Sequence, residues 1–559
     1  MYKGWKTTAS LLVASTLLLS ACSTETEETA TPVDLKNSSS EVTLASDMSK
    51  NPEAAKKRND TFIAGMSSPQ GVFNPYFYHN GWDGNVTSVL FGSLVDVDKS
   101  GKYIPSLAEK WVLSDNQLTY TFTLKKGLKF SDGSPLTADD VAFTLTMLHD
   151  KTYDGETDVS QVQIKGGQDY KEGKATSISG IEVIDPLNIK ITTEKVNALS
   201  LQILGGPVLS KAYYGKNYSP GNLDHLRTLH GAPVGAGPYK LEKYIPGQEV
   251  RTKANEHYFA GKPAIENFIY KVTTSDTNLQ LFQTGETDYD GFTANPDNFE
   301  QLKSLGFANI NVMTSSAYSY LDVNHKRHLK DKNVRQALMY GIDRKQIVDA
   351  TFRGYGEVAN EPISPISWAF TPDINPYDFN QQKAKELLDA AGWKAGADGI
   401  REKDGQKLKL TLLTRKGNDA LITIAKQNLQ DIGIVLEVEV MDFNAMLDKM
   451  EKGDYDLSSV STPGMVDPAE SAQNFLSTIA DNGYNNPAID QLILQGQSTL
   501  DIDKRKPIYQ KLFKELNEDV PSIFLWYRKS MTAHNGRIQG LEPNAYTGII
   551  GDLPKLKIQ

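Results

Sequence analysis

The chain has 559 residues, 39% of them apolar and 23% charged, with a formal net charge of −10 at pH 7. A single hydrophobic core stops growing near about 250–300 residues, so two lobes are expected. The acidic balance argues against a nucleic-acid partner, because phosphate binding needs clustered Lys and Arg. It names no ligand, since excess acid mainly keeps a protein soluble.

Lys3 and Lys6 open the chain, and Leu11, Leu12, Val13, Leu17, Leu18 and Leu19 follow as an apolar run. The run is too short to span a bilayer comfortably and reads as an export signal. It ends in Leu19-Ser20-Ala21-Cys22, which resembles the lipobox of bacterial lipoproteins. The resemblance implies that residues 1–21 are removed and that the Cys22 thiol carries a diacylglycerol. The alternative is a signal peptide that merely contains a cysteine. Cys22 is the only cysteine of the chain, so no disulfide, Cys-ligated zinc or cysteine nucleophile is expected. Each buried methylene adds roughly 0.8 kcal/mol of membrane affinity, so two acyl chains hold where one does not. Residues 22–57 then read as the lipidated Cys22 and a Ser/Thr/Glu-rich flexible tether. As a coil, ~35 such residues span roughly 30–35 Å. No later apolar run reaches spanning length, so the body is expected to be soluble and merely anchored.

Periodicity then alternates between two and 3.6. Leu118, Tyr120, Phe122 and Leu124 alternate with Thr119, Thr121, Thr123 and Lys125, predicting a half-buried strand. Ser131-Asp132-Gly133 is a turn, and Thr137 with Asp140 makes a capping-box arrangement for a helix through Val141, Leu145 and Leu148. A helix from Ala384 to Ala391 should stop at Gly392. Leu408–Leu412, Leu421–Ile432 and Leu436–Val440 form a β-α-β unit, which predicts a parallel pair. The class is α/β with mixed sheets.

A series of motifs carries a specific resemblance. Lys129-Phe130-Ser131-Asp132-Gly133-Ser134-Pro135-Leu136-Thr137-Ala138-Asp139-Asp140-Val141 resembles the signature of the family 5 extracellular solute-binding proteins. Pro105–Trp111 precedes it and Gly235-Ala236-Gly237-Pro238-Tyr239 follows. Val334-Arg335-Gln336-Ala337-Leu338, Ile342-Asp343-Arg344, Ala391-Gly392-Trp393 and Tyr484–Asp490 then appear in the family's order. Read physically, most of these residues are scaffold: Asp343 should cap a helix and Gly392 should be left-handed. The signature thus indicates the fold without indicating the site.

The resemblance implies a two-lobed clamshell of the periplasmic-binding-protein type (type II), with an extra subdomain in lobe I and two crossovers. Lobe I would hold residues 58–310 plus 521–559, with the subdomain near 106–230, and lobe II residues 311–520. Hinges are expected near Asn309–Val312 and Val520–Ile523, with ligand bound between the lobes and buried by closure. The implied function is capture of peptides, of oligopeptide size, and delivery to a membrane ABC permease with its ATPase subunits. The protein would act as a monomer, without cofactor, on the outer face of the cell membrane. A nickel complex, an oligosaccharide or a signalling peptide are the ligands left open by the same fold.

An enzyme is not expected. The chain has no Gly-x-Ser-x-Gly elbow and no His-Glu-x-x-His helix. Gly167–Ala175 departs from a phosphate loop, with Ala175 where a hydroxyl is needed. Asp96-x-Asp98-x-Ser100-Gly101 departs from an EF-hand, with Leu107 at the bidentate position, and reads instead as a hairpin turn. A peptidase is the minor alternative. His325 and His328 are the one close histidine pair, but Lys326, Arg327 and Lys330 surround them, and a solvated charged loop is expected.

Candidate ligand contacts follow from strand ends and crossovers. They are Phe73, Asn74 and Trp82 after the first strand of lobe I, and Trp368 in the Pro-rich loop. Ser461, Thr462, Gly464 and Met465 follow a lobe II strand, and Trp526 and Tyr527 follow the return crossover. Each aromatic has core packing as its alternative. Peptide binders of this family place an Asp four residues before the Pro of an acidic-residue–Pro pair, where it holds the ligand's α-ammonium. The pair here is Asp467-Pro468, which puts Gly464 at that position. A one-residue shift would put Asp467 in the role instead.

Overall fold

The computed structural model describes residues 41–155, 157–462 and 464–559. The expected signal peptide, Cys22 and the tether as far as residue 40 lie outside these residues. Among the described residues thirteen strands form one connected sheet. In chain order they are β1 (Glu41–Thr43), β2 (Thr61–Met66), β3 (Tyr239–Ile245), β4 (Glu249–Ala254), β5 (Asn267–Val272), β6 (Tyr289–Thr293), β7 (Ala308–Thr314), β8 (Ser319–Val323), β9 (Gly356–Val358), β10 (Lys409–Thr414), β11 (Val435–Val440), β12 (Leu457–Ser461) and β13 (Ile523–Asn535). Their order is β11-β10-β12-β8-β13-β6-β2-β5-β4-β3, with β1 on β7, and with β7 and β9 on β13.

Strand β13 joins the two halves. Its first residues pair with β8 (Leu321 with Ile523, Ser319 with Trp526) and its last seven with β7 (Thr314 with Lys529, Ala308 with Asn535). Ile523–Tyr527 is an unbroken apolar and aromatic run because it is covered on both faces. Phe62, Phe122 and Phe268 centre one core, with a smaller cluster around Phe282 and Val312. Leu338, Leu412 and Leu525 centre the core of the other half, beside a cluster around Tyr509 and Phe524. The result is two α/β lobes on a shared strand.

Several local readings hold. β10 and β11 are parallel neighbours with the helix Asp419–Asp431 between them. Thr137 N donates to Asp140 Oδ2 at 2.8 Å, Asp343 accepts from Gln346 N at 2.8 Å, and Gly392 has φ +85°. Val95–Val97 and Tyr103–Pro105 form the hairpin expected around Asp98. Within the stretch expected to be a subdomain, a separate antiparallel sheet runs in the order 108–113, 119–124, 188–192, 181–185.

One expectation needs correction. The tether does not reach Lys57, because β1 already pairs with Ile310–Val312 of β7. Glu41 bonds Lys529 at 2.6 Å, and Asn51 accepts from Asn535 Nδ2 at 2.7 Å. The segment has few large apolar side chains, but joining a sheet edge uses main-chain groups, which composition does not reveal. The expected hinge segments lie within the sheet or run into it. Ile310–Val312 lie between β1 and β13, and Ile523 is already paired with Leu321.

Candidate functional site

The lobes meet through a set of mainly polar contacts. Asn80 caps helix α1 (Gly81–Leu90) by accepting from Trp82 N at 2.7 Å. Its Nδ2 donates to Oδ1 of Asn444, in the first turn of α2 (Phe443–Glu451) in the other lobe. The fully buried Asp83 carboxylate fixes the neighbouring loop by accepting from Gln70, Gly71 and Val72 N at 2.8, 2.7 and 2.9 Å. Burial nevertheless pushes that carboxyl above its ordinary value. Elsewhere Ala198 N donates to Gln497 O at 2.7 Å, Gln202 Nε2 to Glu470 Oε2 at 3.3 Å, and Ser316 Oγ to Ala545 O at 2.7 Å. Leu199 adds an apolar contact to the cluster around Tyr509. Polar junctions of this kind suit lobes that separate and rejoin. A groove of about 790 Å³ lies beside the Ala198–Gln497 bond, lined by Gln161, Asn197, Ile479 and Gln497 among others. None of the expected contact residues lines it.

The structure divides those residues. Phe73 is fully buried against Tyr244, with ring centroids 5.0 Å apart, and Asn74 is fully buried in a turn closed by Tyr76 N. Both are enclosed in lobe I, and Asn74 Nδ2 has no partner. Trp82 is half-buried next to the Asn80–Asn444 bond, and its Nε1 has no partner. Trp368 packs edge-on to Tyr509 at 5.8 Å and lies 5.2 Å under the Arg505 guanidinium, inside lobe II. Trp526 packs on Phe352, and Met465 is buried. Tyr527 OH donates to Glu361 O at 2.8 Å and accepts from Glu361 N at 3.2 Å. For Phe73, Trp368, Trp526 and Tyr527 the packing alternative describes what is seen.

The loop after β12 is different. Ser461 and Gly464 are exposed, and Thr462 is half-buried. Ser461 Oγ bonds Ser319 Oγ at 2.7 Å, and Thr462 Oγ1 accepts from Tyr318 N at 3.1 Å. At Gly464 an added Cβ would lie 2.8 Å from Ser316 Oγ and 3.2 Å from Ala545 O. This loop therefore touches both the connection from β7 to β8 and the C-terminal segment. Pro463 lies outside the described residues.

Asp467 is committed elsewhere. It caps the helix Pro468–Ala472 and accepts both Arg505 terminal nitrogens, at 2.6 and 2.8 Å. Glu470 completes the capping box, and burial pushes its carboxyl up. His325 and His328 do not share a site: His325 Nε2 bonds Pro521 O at 2.9 Å, while His328 stands edge-on to Trp393. His325 is buried, contrary to the solvated loop expected there. Asn80, Asp83 and Asn444 were missed, and only Asn80, as a cap residue before an amphipathic run, carried a signal in the sequence.

Comparison with known proteins places this architecture. The profile of the bacterial extracellular solute-binding proteins, family 5 (middle), matches residues 102–485. The oligopeptide-binding protein AppA of Bacillus subtilis is 31% identical over 503 residues, covering 86% of this chain and 88% of AppA. The structure of AppA with a nonapeptide superposes with a TM-score of 0.81 at 26% identity, over 89% of this chain and 99% of AppA. NikZ of Campylobacter jejuni with Ni(L-His) superposes with a TM-score of 0.76 at 25% identity, over 89% of this chain and 100% of NikZ. The chain is a member of the family 5 bacterial extracellular solute-binding proteins.

Proposed function

We propose that this protein captures peptides of oligopeptide size between its lobes and delivers them to an ABC importer, leaving the ligand chemically unchanged. The observation that carries the reading is the single strand β13 shared by two lobes that otherwise meet mainly through polar bonds. Near-full-length similarity to an oligopeptide-binding protein supports it. The chain crosses between lobes at Ser315–Tyr318 and within β13 near Tyr527–Lys529, so lobe I holds residues 41–314 and 529–559. Scattering with and without a peptide mixture should show compaction on binding, and mass analysis should return the peptides intact. Cleaved peptides would favour a peptidase, and an unchanged envelope despite binding would count against hinge closure. The likeness to NikZ keeps a nickel complex as the second reading. Mass and metal analysis of what the purified protein releases separates the two.

The anchor belongs to the same proposal. Cys22, lipidated after export, would hold the monomer on the outer face of the membrane. Among the described residues no helix is long and apolar enough to cross a membrane. Cys22→Ala should release the protein from the membrane fraction into the soluble fraction or the medium. Retention of the variant in the membrane would refute the anchor.

A further inference from the structure

Eleven large apolar side chains are exposed among the described residues, and three of them fall within seven residues at the start of the body. Val42, Leu44 and Met48 keep 53%, 70% and 39% of their surface exposed. Apolar residues exposed singly are ordinary, whereas a group of them marks a contact surface. The backbone holds this group in place. Val42 pairs with Asn311 of β7, and the chain runs on along β7 as far as Ala45, whose N donates to Asn309 Oδ1 at 2.8 Å. Two residues apart in extended chain, Val42 and Leu44 point to the same side. Ser46 N and Asp47 N both donate to Gly306 O, at 2.8 and 2.9 Å, and Met48 Sδ then lies where a side chain on Gly536 would collide with it. Exposed lysines follow closely, at Lys50, Lys56 and Lys57. Lys56 pairs with Glu53 at 3.0 Å, and among the described residues Lys50 and Lys57 have no ion pair.

Eighteen residues, 23–40, separate Cys22 from β1. Even fully extended they reach at most about 65 Å, so a lipid on Cys22 keeps the start of the body close to the bilayer. A short tether acts as a local concentration on the order of millimolar, and a small contact then suffices for binding. We propose that Val42, Leu44 and Met48 form a membrane-contact patch, seated at headgroup level in a bilayer that carries anionic lipid. This rests on the anchor reading of Cys22 and adds a second attachment to it. Interfacial segments bind in this way, with apolar side chains at the acyl boundary and lysines beside the phosphates. A protein partner could cover apolar side chains equally well. Place and charge favour lipid: the group follows the tether directly, and it is joined by two unpaired lysines in a chain of net charge −10. Glu41 bonds Lys529 at 2.6 Å, where β13 passes from one lobe to the other, so the contact holds the body beside that crossing and leaves lobe II free to move.

Cys22 is the only cysteine, so Ser46→Cys gives the lipidated full-length protein a single free thiol. A polarity-sensitive fluorophore on that thiol, in phosphatidylcholine–phosphatidylglycerol vesicles with nitroxide-labelled headgroups, tests the proposal. Ser498→Cys, at an exposed position in lobe II, is the reference. The lipids should quench the fluorophore at position 46 and leave that at position 498 bright. Adding Val42→Ser/Leu44→Ser should lower the ratio of bound to unbound patch roughly tenfold, as losing about two buried methylenes does. Its melting temperature should not change, because both side chains are exposed. Val42→Leu/Leu44→Met should keep the quenching. Equal quenching at both positions, or undiminished quenching in the serine variant, overturns the proposal. A blue-shifted fluorophore that the lipids do not quench would mean that protein covers the patch, either residues 23–40 or a second copy, and overturns it as well. Wild-type protein missing from the membrane fraction refutes the anchor reading itself, and the patch falls with it.

Discussion

Asp288→Ala should destabilise lobe I by about 3–5 kcal/mol, the range for removing one partner of a buried ion pair. The Asp288 side chain has no exposed surface, and its Oδ1 accepts from Arg58 Nη2 at 2.9 Å and Arg537 Nη2 at 2.9 Å. Its Oδ2 accepts from Ile63 N at 3.0 Å. One carboxylate thus ties β2 to the segments before it and after β13, and alanine would strand the Arg537 guanidinium, whose side chain is 3% exposed. The urea midpoint of wild type and variant measures the effect, with Asp288→Asn expected in between because it keeps the Ile63 bond. A loss below about 1 kcal/mol would place the pair in the class of surface ion pairs and refute the argument.

The same kind of staple explains what the sequence could convey. The motif arginines Arg335 and Arg344 identify the family because each gathers distant carbonyls: Arg335 bonds Val520 O, and Arg344 bonds Phe524 O and Pro376 O. Such residues are tied to one fold, so their order along the chain announces it. The cleft is less legible. Ile523–Tyr527 loses the period-two pattern that separates inward from outward side chains, so the sequence does not separate a cleft contact from a core residue at Trp526 and Tyr527, which pack against the clusters of lobe II. Asp467 could not be assigned from spacing, and its Arg505 partner, 38 residues away, settles its use.

Stability should fall as pH rises from about 5 to 8, by on the order of 3 kcal/mol for Glu361 alone. Glu361 is fully buried, accepts from Thr371 N at 2.8 Å through Oε1, and leaves Oε2 without a partner. Burial pushes its carboxyl from 4.5 up to about 8. Asp290 behaves alike: its Oδ2 lacks a partner, and burial raises it from 3.8 to about 7. A folded-state value above the unfolded one means the native state holds the proton more tightly. The contribution is therefore full below about pH 4.5 and is lost progressively as pH climbs toward 8. Glu361→Gln keeps the acceptor for Thr371 and removes the titration, so its urea midpoint should fall less steeply over this range. The difference should be largest near pH 8, where about half of the folded wild-type protein carries a buried carboxylate with one oxygen unpartnered and the variant carries no charge there. Parallel midpoint-against-pH curves for wild type and Glu361→Gln would show that Glu361 ionises normally, and the burial argument would fail.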